Sequence, residues 1–259
     1  MRVALKFGYD GRKFSGSQRQ PGKRTVEGEI ISTLEEFTEF ENFKSAGRTD
    51  AGVSALGAVI SFDTKFPVEK LVRSLNARVK DIWFYGYKIV KEDFNPRHAL
   101  QRHYRYYLRE NRQNYDILKE VALLFVGEHD FRNFSKYDGK TQVRKIDRIE
   151  IGKKDIFYTI DFYAESFLWN QIRRIVSAMD KVSRGLVDFS EIKDALYAKE
   201  RKDFGLAIPE ALVLVDVKYD FEFEKDKNQN EIAIRKIEEN LHNAKLYSEF
   251  IEEMRRCFD

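Results

Sequence analysis

The chain has 259 residues, of which 42% are hydrophobic and 14% aromatic, a composition that excludes an intrinsically disordered protein. The net charge is only +3, and no apolar run approaches the ~20 residues that a membrane span needs, so no membrane association is expected. A single cysteine, Cys257, excludes an internal disulfide framework and a cysteine-based metal cluster. Because the first residues alternate like a strand and include no long apolar segment typical of a signal peptide, we expect a cytoplasmic protein.

The positive charge is concentrated in two segments. Residues 11–26 contain five basic side chains and no acid: Arg12, Lys13, Arg19, Lys23 and Arg24. Residues 97–112 contain two histidines, one acid and five arginines: Arg97, Arg102, Arg105, Arg109 and Arg112. Such segments attract polyanions such as RNA, although basic patches without a ligand are equally common in proteins rich in Lys and Glu.

In the first half, apolar periodicity and turn residues predict strands alternating with helices. The predicted strands cover residues 3–9, 55–62, 82–90 and 102–108. The predicted helices cover residues 25–37, with Thr25 as the N-cap, and residues 68–79. A Gly-rich and Ser-rich basic loop separates the first strand from the first helix.

The second half repeats this order of elements. We predict helices over residues 115–125 and 167–185, and a shorter helix capped by Ser190. Strands are predicted over residues 143–151, 156–163 and 211–219. Strands mixed with helices in two similar halves indicate an α+β protein of two fused subdomains, each an antiparallel sheet with helices on one face. We expect subdomains at residues 1–105 and 106–219, with the open sheet faces forming one concave surface.

Residues 220–259 differ from the rest of the chain. They hold 7 basic and 11 acidic side chains. Apolar residues recur at spacings of three and four from Ile234 to Phe258, which predicts a long amphipathic helix. We expect this acidic extension to dock on its own domain, with pairing between two copies as the alternative.

Several familiar chemistries are missing from the sequence. The segment from Gly16 to Lys23 has the wrong spacing for a phosphate-binding loop, and Arg24 stands where Ser or Thr would follow. The four histidines lack the spacing of a zinc site. We therefore expect no metal and no organic cofactor.

The segment "SAGRTDAGVSALG", residues 45–57, places one acid and one base among small residues. Asp50 fits two interpretations. It is either the side chain of an Asx-type turn or a carboxylate nucleophile that small neighbours leave open to a substrate. A buried carboxylate needs a nearby cation, and Arg48 or an arginine from elsewhere in the chain would supply it.

Six segments, in order, resemble the TruA family of tRNA pseudouridine synthases. They are "YDGRKFSGSQRQ" (9–20), "TVEGEI" (25–30), "GRTDAGV" (47–53), "FNPRHALQRHYRYYL" (94–108), "SFLWNQIRRIV" (166–176) and "IPEALVLVDV" (208–217). The resemblance covers about residues 1–219, and "GRTDAGV" is its most specific part. Residues 169–171 depart from the family pattern, in which two histidines are common.

The resemblance implies roles for individual residues. Asp50 matches the catalytic aspartate, and Arg48 matches an arginine that helps to hold the extruded nucleotide. Tyr104 matches the tyrosine that stacks on the target uracil and takes part in proton removal from C5. Arg173 matches the helix arginine that pairs with the aspartate, and Arg97 matches an arginine near the bound RNA. Taken alone, Tyr104 also suits an inward-facing sheet residue and Arg173 a solvated helix face.

The family implies isomerisation of uridine to pseudouridine in the tRNA anticodon stem-loop, at positions 38–40, by a homodimer without cofactors. The aspartate attacks C1′ of the ribose or acts through a glycal route. RNA phosphates would contact basic side chains of the two charged segments: Arg12, Lys13, Arg19, Lys23, Arg24, Arg97, Arg102 and Arg105. Two alternatives stay open, namely a non-catalytic RNA-binding module on the same fold and a pseudouridine synthase that acts on another RNA.

Overall fold

The computed structural model describes residues 1–197, 201–225 and 227–258. The strands are β1 (Arg2–Tyr9), β2 (Phe40–Ser45), β3 (Ser54–Thr64), β4 (Ile82–Val90), β5 (Gln101–Arg109), β6 (Gly127–Asp130), β7 (Val143–Ile146), β8 (Arg148–Lys154), β9 (Phe157–Ala164) and β10 (Leu212–Lys218). The helices are α1 (Val26–Glu35), α2 (Val68–Arg78), α3 (Tyr115–Leu123), α4 (Gln171–Ser183), α5 (Phe189–Tyr197) and α6 (Lys227–Arg256). The expected α+β class is confirmed.

One mixed sheet runs through the described residues in the order β4-β1-β3-β10-β5-β9-β8. Its neighbouring strands are antiparallel except β3 and β10, which pair in parallel through Ser54 with Val213 and Ala55 with Leu214. Two antiparallel halves are therefore joined at a single parallel pair. The expected boundary at residue 105 falls inside β5, and the division into subdomains stays a prediction.

The strand pairing places the connection between β2 and β3 at the junction of the two halves. β1 pairs along one edge of β3, from Asp63 to Ala55. β10 and β2 must therefore share the other edge, β10 at residues 54–55 and β2 at residues 60–64. Residues 46–53, which leave the end of β2 and enter β3, consequently lie where the half-sheets meet.

Pairs of helices cover each half of the sheet. α1 contacts α2 in the first half, and α3 contacts α4 in the second. Their buried faces carry aliphatic residues at helical spacing, such as Val26, Ile30 and Leu34 of α1 and Ile172 and Ile175 of α4. Burial of apolar surface at ~25 cal/mol per Å² holds these helices on the sheet.

Local capping explains where the helices begin. The Thr25 hydroxyl accepts a hydrogen bond from the Gly28 amide, and the Asn114 carboxamide accepts from the amides of residues 116 and 117. The Thr25 cap was predicted and is confirmed. The predicted Ser190 cap is wrong, because α5 already begins at Phe189.

The predicted start of α4 is four residues too early. Asn170 has a left-handed backbone with φ of 63°, which interrupts the helical path before Gln171. The Gln171 side chain accepts a hydrogen bond from the Leu168 amide at 2.8 Å and closes the preceding turn. Residues 167–170 therefore form a separate turn that carries Trp169 toward the centre of the molecule.

The predicted long C-terminal helix α6 is present, and it docks on its own domain, as expected, at its start. It contacts α2 and β4 near its start, where Ala233 is buried and the Lys236 ammonium donates to the Asn76 carbonyl at 2.8 Å. The apolar stripe beyond is open to solvent, with Leu241 at 52% and Phe258 at 85% exposure. In the part of the chain that the structure describes, no helix is long and apolar enough to cross a membrane.

Candidate active site

The loop between β2 and β3 is close-packed at Gly52, which explains the glycine at that position. Gly52 has φ of +87°, and a Cβ at this position would lie 3.0 Å from atoms of Pro209 and Glu210. On the other side, the Thr49 amide donates to the Ser17 hydroxyl at 2.8 Å, and the Thr49 hydroxyl shares a 2.7 Å hydrogen bond with Tyr9. The loop is thus fixed between the N-terminal basic loop and the segment before β10.

Asp50 projects from this loop to the second half of the chain. Its Oδ2 accepts a hydrogen bond from Arg173 Nη1 at 2.8 Å, and its Oδ1 accepts from Trp169 Nε1 at 3.0 Å. The side chains of Asp50 and Arg173 are 26% and 11% exposed. Arg173 is itself fixed, because its Nε donates to the Ala207 carbonyl at 2.8 Å. A partly exposed carboxylate whose two oxygens are both held by hydrogen bonds can contact a ligand. These bonds come from distant side chains, whereas the carboxylate of an Asx turn bonds to nearby backbone N–H groups.

Tyr104 lies on β5 beside this carboxylate. It is 8% exposed and meets Phe167 edge to face, with ring centroids 5.3 Å apart. Burial raises the pKa of Tyr104 to about 12, with the Arg102 guanidinium opposing and the Asp50 charge adding to the rise. The phenol is therefore protonated near neutral pH. The site brings together a carboxylate, a guanidinium and a neutral phenol.

Arg48 points to a different part of the cleft. Its Nη2 lies 3.6 Å from Oδ2 of Asp138, and its Nη1 lies 3.5 Å from Oε1 of Gln18. Its side chain is 59% exposed. Arg173, rather than Arg48, supplies the counter-charge of Asp50, which leaves Arg48 accessible to a ligand.

Arg102 occupies the interior rather than the surface. It is 8% exposed, and its guanidinium donates to the carbonyls of Ala46 at 2.6 Å, Arg97 at 3.0 Å and Glu165. These carbonyls belong to the start of the loop between β2 and β3, to the segment before β5 and to the segment before α4. Arg102 therefore joins three segments around the site. Three of its five N–H donors bind these carbonyls and the side chain is buried, so the structure gives it a positioning role, and the expected phosphate contact stays a prediction.

The other predicted basic residues fall into two groups. Arg24 pairs with Glu29 and Asp81, and Arg105 pairs with Asp161. The second group is exposed and comprises Arg12, Lys13, Arg19, Lys23 and Arg97. Of these, Arg12 also binds a neighbouring carboxylate at 2.7 Å. Hydrogen bonds between Ser17 and Thr49 hold the basic loop beside the loop between β2 and β3.

Trp169 is a site residue that the sequence interpretation did not assign. Beyond its hydrogen bond to Asp50, its carbonyl accepts from the Lys136 amide at 2.8 Å. The Lys136 ammonium lies 3.9 Å from the centroid of its ring, a cation–π distance. The available signal was its position four residues before Arg173 in the segment that departs from the family pattern.

The described residues contain no group of three or more His, Cys, Asp or Glu side chains that could hold a metal ion. The chemistry that the site can support with its own residues is that of an oriented carboxylate next to a neutral phenol and a fixed cation.

Comparisons with known proteins agree on one family. Residues 121–220 match the family model described as tRNA pseudouridine synthase. The chain is 48% identical to the tRNA pseudouridine synthase A of Pyrococcus furiosus, over 85% of this chain and 84% of that protein. It is 45% identical to that of Pyrococcus abyssi, over 85% of each, and 39% identical to that of Methanocella arvoryzae, over 98% of this chain and 100% of that protein. Among solved structures, the Cbf5-Nop10-Gar1 complex is 14% identical with a TM-score of 0.35, over 69% of this chain and 44% of that one.

Proposed function

The chain belongs to the tRNA pseudouridine synthase A family, whose members are isomerases, and on that premise we propose that it converts uridine to pseudouridine at positions 38–40 of the tRNA anticodon stem-loop. Asp50 is the proposed nucleophile. The observation that carries this proposal is the 2.8 Å contact between Asp50 and Arg173, which are 123 residues apart in sequence. A residue that only closes a turn would not need a hydrogen bond from an arginine on α4, in the second half of the chain.

The target uridine is stacked in RNA, so it must first leave the stack at a cost of a few kcal/mol. Contact with an aromatic side chain such as Tyr104 offsets part of this cost, since base stacking contributes ~1–3 kcal/mol. Arg48, whose side chain is 59% exposed, is proposed to hold the phosphate of the extruded nucleotide. The extruded nucleotide then presents C1′ of its ribose to Asp50.

In the direct route, a carboxylate oxygen of Asp50 forms a bond to C1′ while the C1′–N1 bond breaks and the electron pair leaves with uracil. The uracil anion rotates, and its C5 attacks C1′ and displaces the carboxylate. The C5 hydrogen then leaves as a proton, and N1 takes up a proton. In the glycal route, Asp50 instead removes the C2′ proton, so that a C1′=C2′ double bond forms as the C1′–N1 bond breaks and its electron pair leaves with uracil. C5 then adds to C1′, C2′ takes the proton back from Asp50, and the C5 hydrogen leaves as a proton while N1 takes one up.

Tyr104 is the proposed participant in removal of the C5 proton. Because its pKa is raised to about 12, its hydroxyl is protonated near neutral pH in the RNA-free protein. It therefore enters the reaction as a hydrogen-bond partner, and must pass its proton on before it can accept another. Arg173 keeps the carboxylate oriented throughout.

The exposed basic residues Arg12, Lys13, Arg19, Lys23 and Arg97 are the proposed contacts to tRNA phosphates. RNA helices are recognised largely by shape and backbone, so a broad basic rim suits an anticodon arm. A homodimer and a cytoplasmic location complete the proposal, since the family expectation is a dimer and the enzyme must share a compartment with its RNA.

Tritium release from tRNA transcripts labelled at C5 of uridine tests this function, because C5 loses its hydrogen when it becomes the glycosidic carbon. We expect release by the wild type and a loss of at least about 10⁴-fold in Asp50→Ala, with tRNA binding retained. Asp203→Asn is the matched control. The Asp203 carboxylate pairs with Arg174, the neighbour of Arg173 on α4, and its side chain is 67% exposed.

The outcomes separate the alternatives. Binding of tRNA without release would favour a non-catalytic RNA-binding module. Release from other RNAs but not from an anticodon arm would favour a synthase with another substrate. Equal release by Asp50→Ala and the wild type would remove Asp50 from the mechanism.

A further inference from the structure

We propose that Trp169 is a positioning residue for the nucleophile: its indole N–H fixes the orientation of the Asp50 carboxylate, and Lys136 holds the indole in place. This inference rests on the proposed function for its effect on rate, but the contact itself can be tested without RNA. It concerns a segment, residues 169–171, in which this chain departs from the expected family pattern.

The first argument concerns the torsion of the carboxylate. The terminal torsion of an aspartate side chain is broad, so a single hydrogen bond leaves the plane of the carboxylate free to rotate. Arg173 binds Oδ2 at 2.8 Å, and Trp169 binds Oδ1 at 3.0 Å. Two donors on two different oxygens define the plane. Each oxygen retains a second lone pair, so the carboxylate can still attack.

The second argument is that the indole is itself held. Trp169 lies in the turn before α4, and the left-handed backbone of Asn170 sets its direction. Lys136 contacts it twice, with its amide on the Trp169 carbonyl at 2.8 Å and its ammonium 3.9 Å from the ring centroid. Thus the indole is fixed between a cation on its face and Asp50 at its N–H.

The third argument is that Trp169 contributes little to the core. It is 45% exposed, unlike the neighbouring Leu168 at 8% and Ile172 at 4%. A tryptophan whose role was packing would be enclosed, whereas this residue is largely open to solvent. Its removal should therefore affect the site more than the fold.

The activity test compares Trp169→Phe, which keeps a ring but loses the N–H, with the wild type in single-turnover and steady-state tritium release. We expect the rate constant to fall about tenfold, the effect of losing a hydrogen bond to a charged group, with KM for tRNA changed less than twofold. Lys136→Met should lower the rate constant two- to threefold by loosening the indole. A wild-type rate in Trp169→Phe, or a raised KM at an unchanged rate constant, overturns the proposal.

The contact is tested separately by fluorescence of the RNA-free protein. The chain has two tryptophans, so Trp83→Phe leaves Trp169 as the sole indole emitter. In that background, Asp50→Ala should shift the emission of Trp169 and Asp203→Asn should not. An unchanged emission in Asp50→Ala overturns the contact. If the emission shifts but no variant releases tritium from any RNA, the proposed function fails and the role of Trp169 in catalysis fails with it.

Discussion

Replacing Arg102 by methionine distinguishes two roles for a basic side chain on β5, namely binding RNA phosphate and holding the site together. Methionine keeps most of the length and apolar bulk of the arginine but has no donors. The substitution leaves the carbonyls of Ala46, Arg97 and Glu165 without the guanidinium that they now share.

The expected cost follows from those three acceptors. A buried acceptor left without a donor costs about 1–3 kcal/mol. Water can reach part of the space that opens, so we expect a loss of about 3–5 kcal/mol in the free energy of unfolding. For a chain of this size about 1 kcal/mol lowers the Tm by roughly 2–4 °C, which predicts a fall of about 10 °C.

The assay is thermal and urea unfolding of Arg102→Met beside Arg97→Met, an exposed arginine five residues earlier in the chain. We expect the Tm of Arg97→Met to stay within about 1 °C, because surface substitutions rarely change stability by more than ~0.5 kcal/mol. The Tm of Arg102→Lys should lie between those of the two methionine variants, since an ammonium lacks the planar fork of donors that reaches three carbonyls.

The opposite pattern would refute this reasoning. If Arg102 contacted phosphate, Arg102→Met would keep its Tm, and its tRNA affinity would show a salt dependence reduced by about one charge. That result would support the expectation drawn from the sequence.

Four further predictions concern the site and the C-terminal helix. Arg173→Met should reduce tritium release about 10²-fold or more with tRNA binding retained, and Arg173→Lys should recover part of it, because Asp50, the proposed nucleophile, loses its fixed cation; equal rates in all three proteins would contradict this. Gly52→Ala should lower the Tm by several degrees, since the new Cβ lies 3.0 Å from the Glu210 carboxylate at a φ of +87°, and a silent substitution would show that the loop relaxes easily. Burial raises the pKa of Tyr104 to about 12, against about 10 in the unfolded chain. The free energy of unfolding should therefore not depend on this phenol below pH 10 and should fall as the pH rises from 10 toward 12. The loss of stability between pH 8 and pH 11, measured by urea unfolding, should be smaller in Tyr104→Phe than in the wild type. Leu241→Glu should leave the Tm of the monomer unchanged, because the side chain is 52% exposed, and a marked loss of stability would mean that α6 packs against another surface.

Strands and helices whose apolar residues recur at a regular spacing were predictable from the sequence. Strands in which irregular pairing breaks that spacing, or which have no apolar face, were not. β4 begins and ends where predicted, since its buried residues alternate. β2 was missed because a register shift between Glu41 and Lys44 breaks the alternation of its apolar residues. β6, with the sequence Gly-Glu-His-Asp, pairs with β7 in a separate two-stranded sheet and presents no apolar face to recognise.

Among the residues of the site, too, some positions followed from the sequence and others did not. Tyr104 and Arg102 lie two residues apart on β5, so the strand period places both side chains on the same face, and burial of one implied burial of the other. The charge count favoured the surface for Arg102, and the geometry of the strand was the better guide. The contact of Trp169 with Asp50 could not be derived, because it depends on the left-handed turn at Asn170 that delays the start of α4.

The position of β10 between β3 and β5 has a consequence for the order of events during synthesis. The strand that joins the two half-sheets, residues 212–218, is made after more than four fifths of the chain. Contacts between residues as distant as Ser54 and Val213 form slowly, because the chain between them loses conformational entropy on closing into a loop before strand pairing can stabilise it. A nascent chain on the ribosome therefore carries the loop between β2 and β3 for most of its synthesis before β10 joins the two half-sheets beside it. The sheet that positions this loop is completed late, when β10 is added.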